Sequence, residues 1–168
     1  MLVVNLLAGG IDTTAAQLAH AVRLFAEHPG QWQLLAGNPH LAPRAVDEVL
    51  RFEPVTPFTA RICLEDIEYD GVVFPAGTIV AICAERGNRE GDEDFDIAAD
   101  RDGRLLTFGA GPHFCLGANL ARAELEEALA FLAPRMPDLR LDGPVRFGGI
   151  EGIYGIDALP LRWSTAAG

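Results

Sequence analysis

Phe108-Gly-Ala-Gly-Pro-His-Phe-Cys115-Leu-Gly-Ala-Asn-Leu-Ala-Arg122 decides how this chain is read. It sets one cysteine in a loop with three glycines, directly ahead of a helical pattern. A thiolate that ligates a metal from a tight loop needs backbone able to take positive φ. Gly109, Gly111 and Gly117 are placed to supply it. It also needs amide N–H groups and a helix N-terminus to hold negative charge on sulfur, and the segment from Leu116 onward can provide both. No second Cys or His stands at zinc-ligand spacing, so Cys115 points to a single axial bond to a cofactor metal. A lone cysteine is otherwise a buried structural residue by default.

Position by position, the stretch resembles the haem-binding loop of the cytochrome P450 family, Phe-Gly-x-Gly-x-His-x-Cys-x-Gly-x-x-Leu-Ala-Arg. Two further matches come in family order. Ala8-Gly-Gly-Ile-Asp-Thr-Thr14 resembles its oxygen-activating helix, and Glu48-Val-Leu-Arg51 resembles its Glu-x-x-Arg helix. The resemblance runs the whole length of the chain and covers less than half of the usual family domain. It implies an α+β fold, mainly α, equal to the C-terminal part of the cytochrome P450 fold. Residues 1–168 are then one truncated haem-binding unit without the family's N-terminal half.

The resemblance implies haem b (iron protoporphyrin IX) with Cys115 as its metal ligand. An anionic thiolate of this kind pushes electron density onto iron and favours O–O cleavage. Phe108, Gly109, His113 and Gly117 fall at cofactor-binding positions of the motif, with His113 matched to a propionate partner. An exposed loop histidine is the competing reading of His113. Arg61 stands where the family often has a propionate-binding arginine; an edge-strand charge explains it almost as well.

Asp12 and Thr13 are the catalytic candidates. Heterolytic O–O cleavage needs protons, and an acid next to a hydroxyl inside an apolar helix can relay them. Gly9 and Gly10 would leave room beside the helix for a diatomic ligand. An Asp-Thr-Thr helix cap is the alternative. Glu48 and Arg51 lie three apart on one helical face and can pair. In the family this pair is joined by a second arginine from the segment before the cysteine loop. Here Asp94 occupies that position, with several residues missing before it, which leaves Arg86, Arg89 or Arg101 as substitutes.

Composition limits what else the chain can be. With 49% hydrophobic residues in 168, it can bury a core. The net charge of -11, with Arg as every one of the 13 basic residues, argues against nucleic acid and anionic membranes. Three cysteines, an odd number, suit a reducing compartment, with Cys63 and Cys83 as small buried hydrophobes. Residues 1–8 are apolar but lack a basic region and a cleavage site, and are too short to span a membrane. The chain therefore reads as cytoplasmic.

Hydrophobic periodicity predicts helices over 2–28, 31–36, 41–52 and about 118–133, the first interrupted by Gly9 and Gly10. Strands are expected over 61–64, 67–69, 72–74 and 78–83, forming one small antiparallel sheet with Asp70-Gly71 as a hairpin turn. Residues 84–104 read as irregular, and the tail as short strands at 139–141, 144–147 and 158–163.

The leading function is a haem-thiolate monooxygenase acting on a small organic substrate, with a ferredoxin or flavoprotein as electron donor. Two other readings stand beside it. One is a truncated haem-binding remnant without independent oxygenase activity, whose apolar face over residues 2–11 invites self-association or a complementary chain. The other is a small α+β fold held by Glu48 and Arg51, with an inert Cys115.

Overall fold

The computed structural model describes residues 2–101, 105–149 and 152–164, without the side chains of residues 2–6 and 8. Helix α1 (Leu2–Glu27) runs unbroken through Gly9 and Gly10, contrary to the expected interruption. The glycine penalty of roughly 1 kcal/mol each lowers helix propensity without ending a helix whose later turns are anchored in the core. Pro29 does not open a loop but the next helix, α2 (Pro29–Gly37). Proline suits a first helical turn because its missing N–H would have no partner there. Helix α3 (Ala42–Phe52) likewise carries Pro43 in its first turn.

One core joins these helices. Ala21, Leu24 and Phe25 of α1 meet Trp32 and Leu35 of α2 and Val46, Val49 and Leu50 of α3. Leu125 and Leu129 complete it from α5 (Ala118–Leu132). Trp32 is 1% exposed and donates its indole N–H to the Met136 carbonyl at 2.6 Å. Its large ring therefore enters the core with its one polar atom satisfied.

Among the described residues the strands form four separate pairs, not one sheet. β1 (Phe58–Ile62) pairs antiparallel with β4 (Ile79–Cys83). β2 (Ile67–Tyr69) and β3 (Val72–Phe74) make a hairpin whose Asp70 and Gly71 have φ of 50° and 75°, the twist a two-residue turn needs. Further on, β5 (Arg140–Leu141) pairs with β8 (Leu161–Arg162), and β6 (Arg146–Gly148) with β7 (Gly155–Ala158). The strand expected over 158–163 is split between β7 and β8. Pro160 lies at the break and has no N–H to continue a ladder.

A short helix α4 (Ala84–Asn88) occupies the start of the stretch read as irregular. Five residues are too few to display a periodicity. Among the described residues no helix is long and apolar enough to cross a membrane. The apolar face expected over residues 2–11 lies largely outside the described side chains; within them, Leu7 and Ile11 are exposed.

Candidate functional site

The loop before α5 closes on itself. Gly109 and Gly111 take φ of 73° and 72°. Gly111–His113 form a single 3-10 turn, closed by the Phe114 N–H on the Gly111 carbonyl at 3.0 Å. The Cys115 N–H then donates to the Phe108 carbonyl at 2.9 Å, joining the two ends of the loop. Gly117 departs from expectation. Its φ is -86°, and it serves as the N-cap of α5, where glycine is tolerated for a different reason.

Cys115 lies exposed at the mouth of this loop, and Phe114, Leu116 and Leu120 around it are exposed as well. Phe108 is half-buried behind it. The Arg122 guanidinium sits 4.7 Å from the centre of the Phe108 ring and pairs with Asp47 at 2.9 Å, tying α5 to α3. Among the described residues no three His, Cys, Asp or Glu side chains gather into a metal cage.

Behind the loop, Glu48 and Arg51 are buried and doubly bonded, Nε to Oε2 at 2.8 Å and Nη2 to Oε1 at 3.0 Å. The second guanidinium is that of Arg101, whose Nη1 lies 3.1 Å from Glu48 Oε2. The Asp96 N–H adds a third donor to the Glu48 carboxylate at 2.8 Å. Arg86 and Arg89 are engaged elsewhere, with Glu93 and Glu85. Asp94 takes part through its backbone, its carbonyl accepting from Arg51 Nη2 at 2.6 Å. Arg101 also bonds Asp92 at 2.7 Å, and that hydrogen bond holds the Asp92 carboxyl well below the usual range, at about 2. Glu48, unlike Asp92, is buried, and its carboxylate is tolerable there only with the donors that Arg51, Arg101 and the Asp96 N–H supply.

A model of the cytochrome P450 family matches residues 38–132, more than half of the chain. The chain belongs to the cytochrome P450 family. It is 47% identical over 171 residues to luteothin monooxygenase of Streptomyces thioluteus, covering 98% of this chain and 42% of that protein. It is 45% identical over 148 residues to nocardicin C N-oxygenase of Nocardia uniformis subsp. tsuyamanensis, covering 84% of this chain and 37% of that one. Among solved structures, cytochrome P450 RauA complexed with a biosynthetic intermediate of aurachin RE superposes with a TM-score of 0.86. That match has 31% identity over 93% of this chain and 39% of RauA. CxnD, a cytochrome P450 for C–S bond formation in chuangxinmycin biosynthesis, gives 0.86 at 32% identity, over 95% of this chain and 41% of CxnD. The chain thus spans about two fifths of the length of the relatives it matches.

Haem iron is the cofactor of a cytochrome P450, and the residues around Cys115 suit it. An accessible thiol stands among exposed apolar side chains that a macrocycle can cover, and the loop closes without using the sulfur. The other predicted residues lie on separate elements. His113 is exposed in the 3-10 turn. Arg61 is exposed on β1 opposite Val80, and its Nη1 donates to the Ala60 carbonyl at 2.9 Å. On α1, Asp12 is exposed and Thr13 donates its hydroxyl to the Gly9 carbonyl at 2.6 Å. That back-bond lies inside the helix, so neither residue is a cap. Among the described residues a Cβ added at Gly9 or Gly10 would meet nothing within 4 Å, so the space beside that turn is open.

A cavity of about 830 Å³ lies behind the loop, lined by Arg51, Arg101, Phe108 and Arg122 among others, but not by Asp12, Thr13 or Cys115. Its charged walls, Arg51 and Arg101 with Glu48, belong to the loop's support.

Sequence reasoning missed a second buried polar cluster on the later turns of α1. His20 is fully buried and its Nδ1 lies 2.7 Å from Glu53 Oε1; Arg23 pairs with the other Glu53 oxygen. Gln17 bonds the Glu53 carbonyl at 2.9 Å and the Val55 N–H at 3.1 Å, pinning α1 to the end of α3. Burial pushes the Glu53 carboxyl up, but the His20 hydrogen bond and the Arg23 charge outweigh it and hold it below its ordinary value. The available signal was Gln17, His20 and Arg23 repeating every three residues along α1, with Glu27 one turn beyond Arg23.

Proposed function

We propose that this chain is the haem-thiolate part of a cytochrome P450 monooxygenase, acting as a single haem-binding unit over residues 1–168. One observation carries the reading. Cys115 stands exposed at the mouth of a loop that two positive-φ glycines and the Cys115–Phe108 hydrogen bond close. In this reading Cys115 is the thiolate ligand of haem b. When bound, the haem supplies the electron transfer and oxygen-insertion chemistry.

The chain's own residues bind and position. Phe108, Gly109 and Gly117 would border the porphyrin on the loop's side. His113 and Arg61 hold the propionates through charge-assisted bonds. Asp12 and Thr13 hold and pass protons beside the open turn at Gly9 and Gly10. Electrons come from a ferredoxin or flavoprotein. The substrate is a small organic molecule, in keeping with relatives named for luteothin and nocardicin C. Three free cysteines favour a reducing, cytoplasmic location.

The test is the visible spectrum of the hemin-loaded, reduced chain under carbon monoxide. The thiolate-type band should appear, and Cys115→Ser should abolish it; an unchanged band in the variant overturns the ligand assignment. A second reading, haem binding without independent turnover, draws on the exposure of Leu7, Ile11, Phe58 and Ile62. Substrate oxidation by the isolated chain with a chemical reductant would remove that reading.

A further inference from the structure

Thr107 and Asn88 bear none of the roles assigned so far, yet their side chains join three elements just ahead of the cysteine loop. The Leu50 carbonyl, in the last turn of α3, would ordinarily accept the N–H of residue 54. That residue is Pro54, which has none. The Thr107 hydroxyl takes over, donating to Leu50 O at 2.6 Å. Its oxygen accepts in turn from Asn88 Nδ2 at 2.9 Å. The other end of the Asn88 amide, Oδ1, accepts the Leu106 N–H at 2.7 Å. The amide of Asn88 is thus engaged at both ends by two consecutive residues.

Packing reinforces this register. A Cβ at Gly87 would fall 2.7 Å from Leu106 Cδ1, so α4 and the segment leading into the loop touch at closest approach. From Thr107 the chain needs one residue to reach Phe108, whose carbonyl receives the Cys115 N–H. The Leu106 carbonyl meanwhile accepts the Gly109 N–H at 2.8 Å, starting the turn. The backbone that positions Cys115 is therefore referred to α3 and α4 through one hydroxyl and one carboxamide.

We propose that Asn88 and Thr107 are positioning residues that fix the height of the Cys115 loop on α3, and so the sulfur's approach to the metal. The effect on sulfur rests on the haem-thiolate reading; the effect on the loop does not. Two measurements keep these apart. In the chain without added hemin, amide exchange over residues 106–117 should quicken roughly tenfold in Thr107→Val, which loses both bonds at constant shape. Thr107→Ser should stay near the parent, and exchange in α1 should not change. Asn88→Asp, which keeps the acceptor for Leu106 and loses the donor to Thr107, should fall between and covers the case of a Thr107→Val chain that does not fold. Parent-like exchange in Thr107→Val or Asn88→Asp overturns the clamp. In the hemin-loaded, reduced chain under carbon monoxide, Thr107→Val should shift signal from the thiolate-type to the neutral-thiol band, and Thr107→Ser should restore it. A full thiolate band in Thr107→Val overturns the effect on sulfur. A parent chain that stays colourless with hemin overturns the haem reading alone, and the exchange rates then decide the clamp.

Discussion

At φ 73°, Gly109 holds a conformation that costs an L-residue roughly 1–2 kcal/mol. Gly109→Ala should lose about that much stability, because nothing nearby can relieve backbone strain at its source. Gly117, at φ -86° with open space beside its Cα, should lose less with alanine, about 0.5–1 kcal/mol, from the poorer helix cap alone. Urea titrations of the two variants check the contrast, and equal losses would contradict the backbone assignment. The same reasoning separates the arginines. Arg101→Gln removes a charged donor from buried Glu48 and should cost about 1.5–3 kcal/mol. Arg86→Gln breaks only an exposed pair and should stay within about 1 kcal/mol of the parent. Single residues were unevenly legible. That Cys115 sits in a tight loop ahead of a helix could be read from its neighbours alone, since Gly109 and Gly111 take the positive φ that their spacing predicts. Which arginine reaches Glu48 could not, because the connection from Arg86 to Arg101 follows no period, and only its folded path brings Arg101 round.

Among the elements, α1 and α3 carry a dependence on pH. Glu53, at the end of α3, is held ionised by His20 and Arg23 of α1. Its folded pKa lies below its ordinary value of 4.5, so the folded state binds this proton less readily than the unfolded chain. The stabilisation is therefore complete above pH of about 4.5 and disappears as pH falls through the depressed folded value. The stability gap between the parent and Glu53→Gln should be present at pH 5 and narrow as pH falls below about 4.5. Denaturant midpoints across this interval measure it, and a gap that stays constant to pH 3 would refute the linkage. The element boundaries teach a related lesson. α1, α3 and α5 were readable because each repeats its apolar residues over three or more turns. α4 and the division into four strand pairs were not, since stretches of two to five residues owe their form to what they pack against. Pro54 and Pro160 are instructive in opposite ways. Each removes an N–H that the sequence displays plainly, but only the fold reveals that Thr107 answers the first and that the second parts β7 from β8.

At the scale of the whole molecule, burial is one-sided. The core gathers the later turns of α1 with α2, α3 and α5, whereas Leu7 and Ile11 on the earlier turns are 59% and 63% exposed. β1 and β4 add Phe58, Ile62, Ile79 and Ile82 to the exposed set, and the cysteine loop adds Phe114 and Leu116. Haem can cover the side chains around Cys115, but one ring cannot reach every apolar residue on α1, β1 and β4. Burying a Leu or Ile side chain fully contributes roughly 1.5–3 kcal/mol, so a few such residues exposed together drive association at micromolar concentrations. The chain should therefore sediment as a species heavier than 18.0 kDa. Leu7→Ser with Ile11→Ser should shift it toward the monomer while leaving the helical signal and the α3 amides unchanged. Hemin should reduce the association without abolishing it, because α1 stays uncovered. A parent chain that runs as a monomer at 50 µM (about the concentration where such affinities act) would show that these side chains find cover within the molecule.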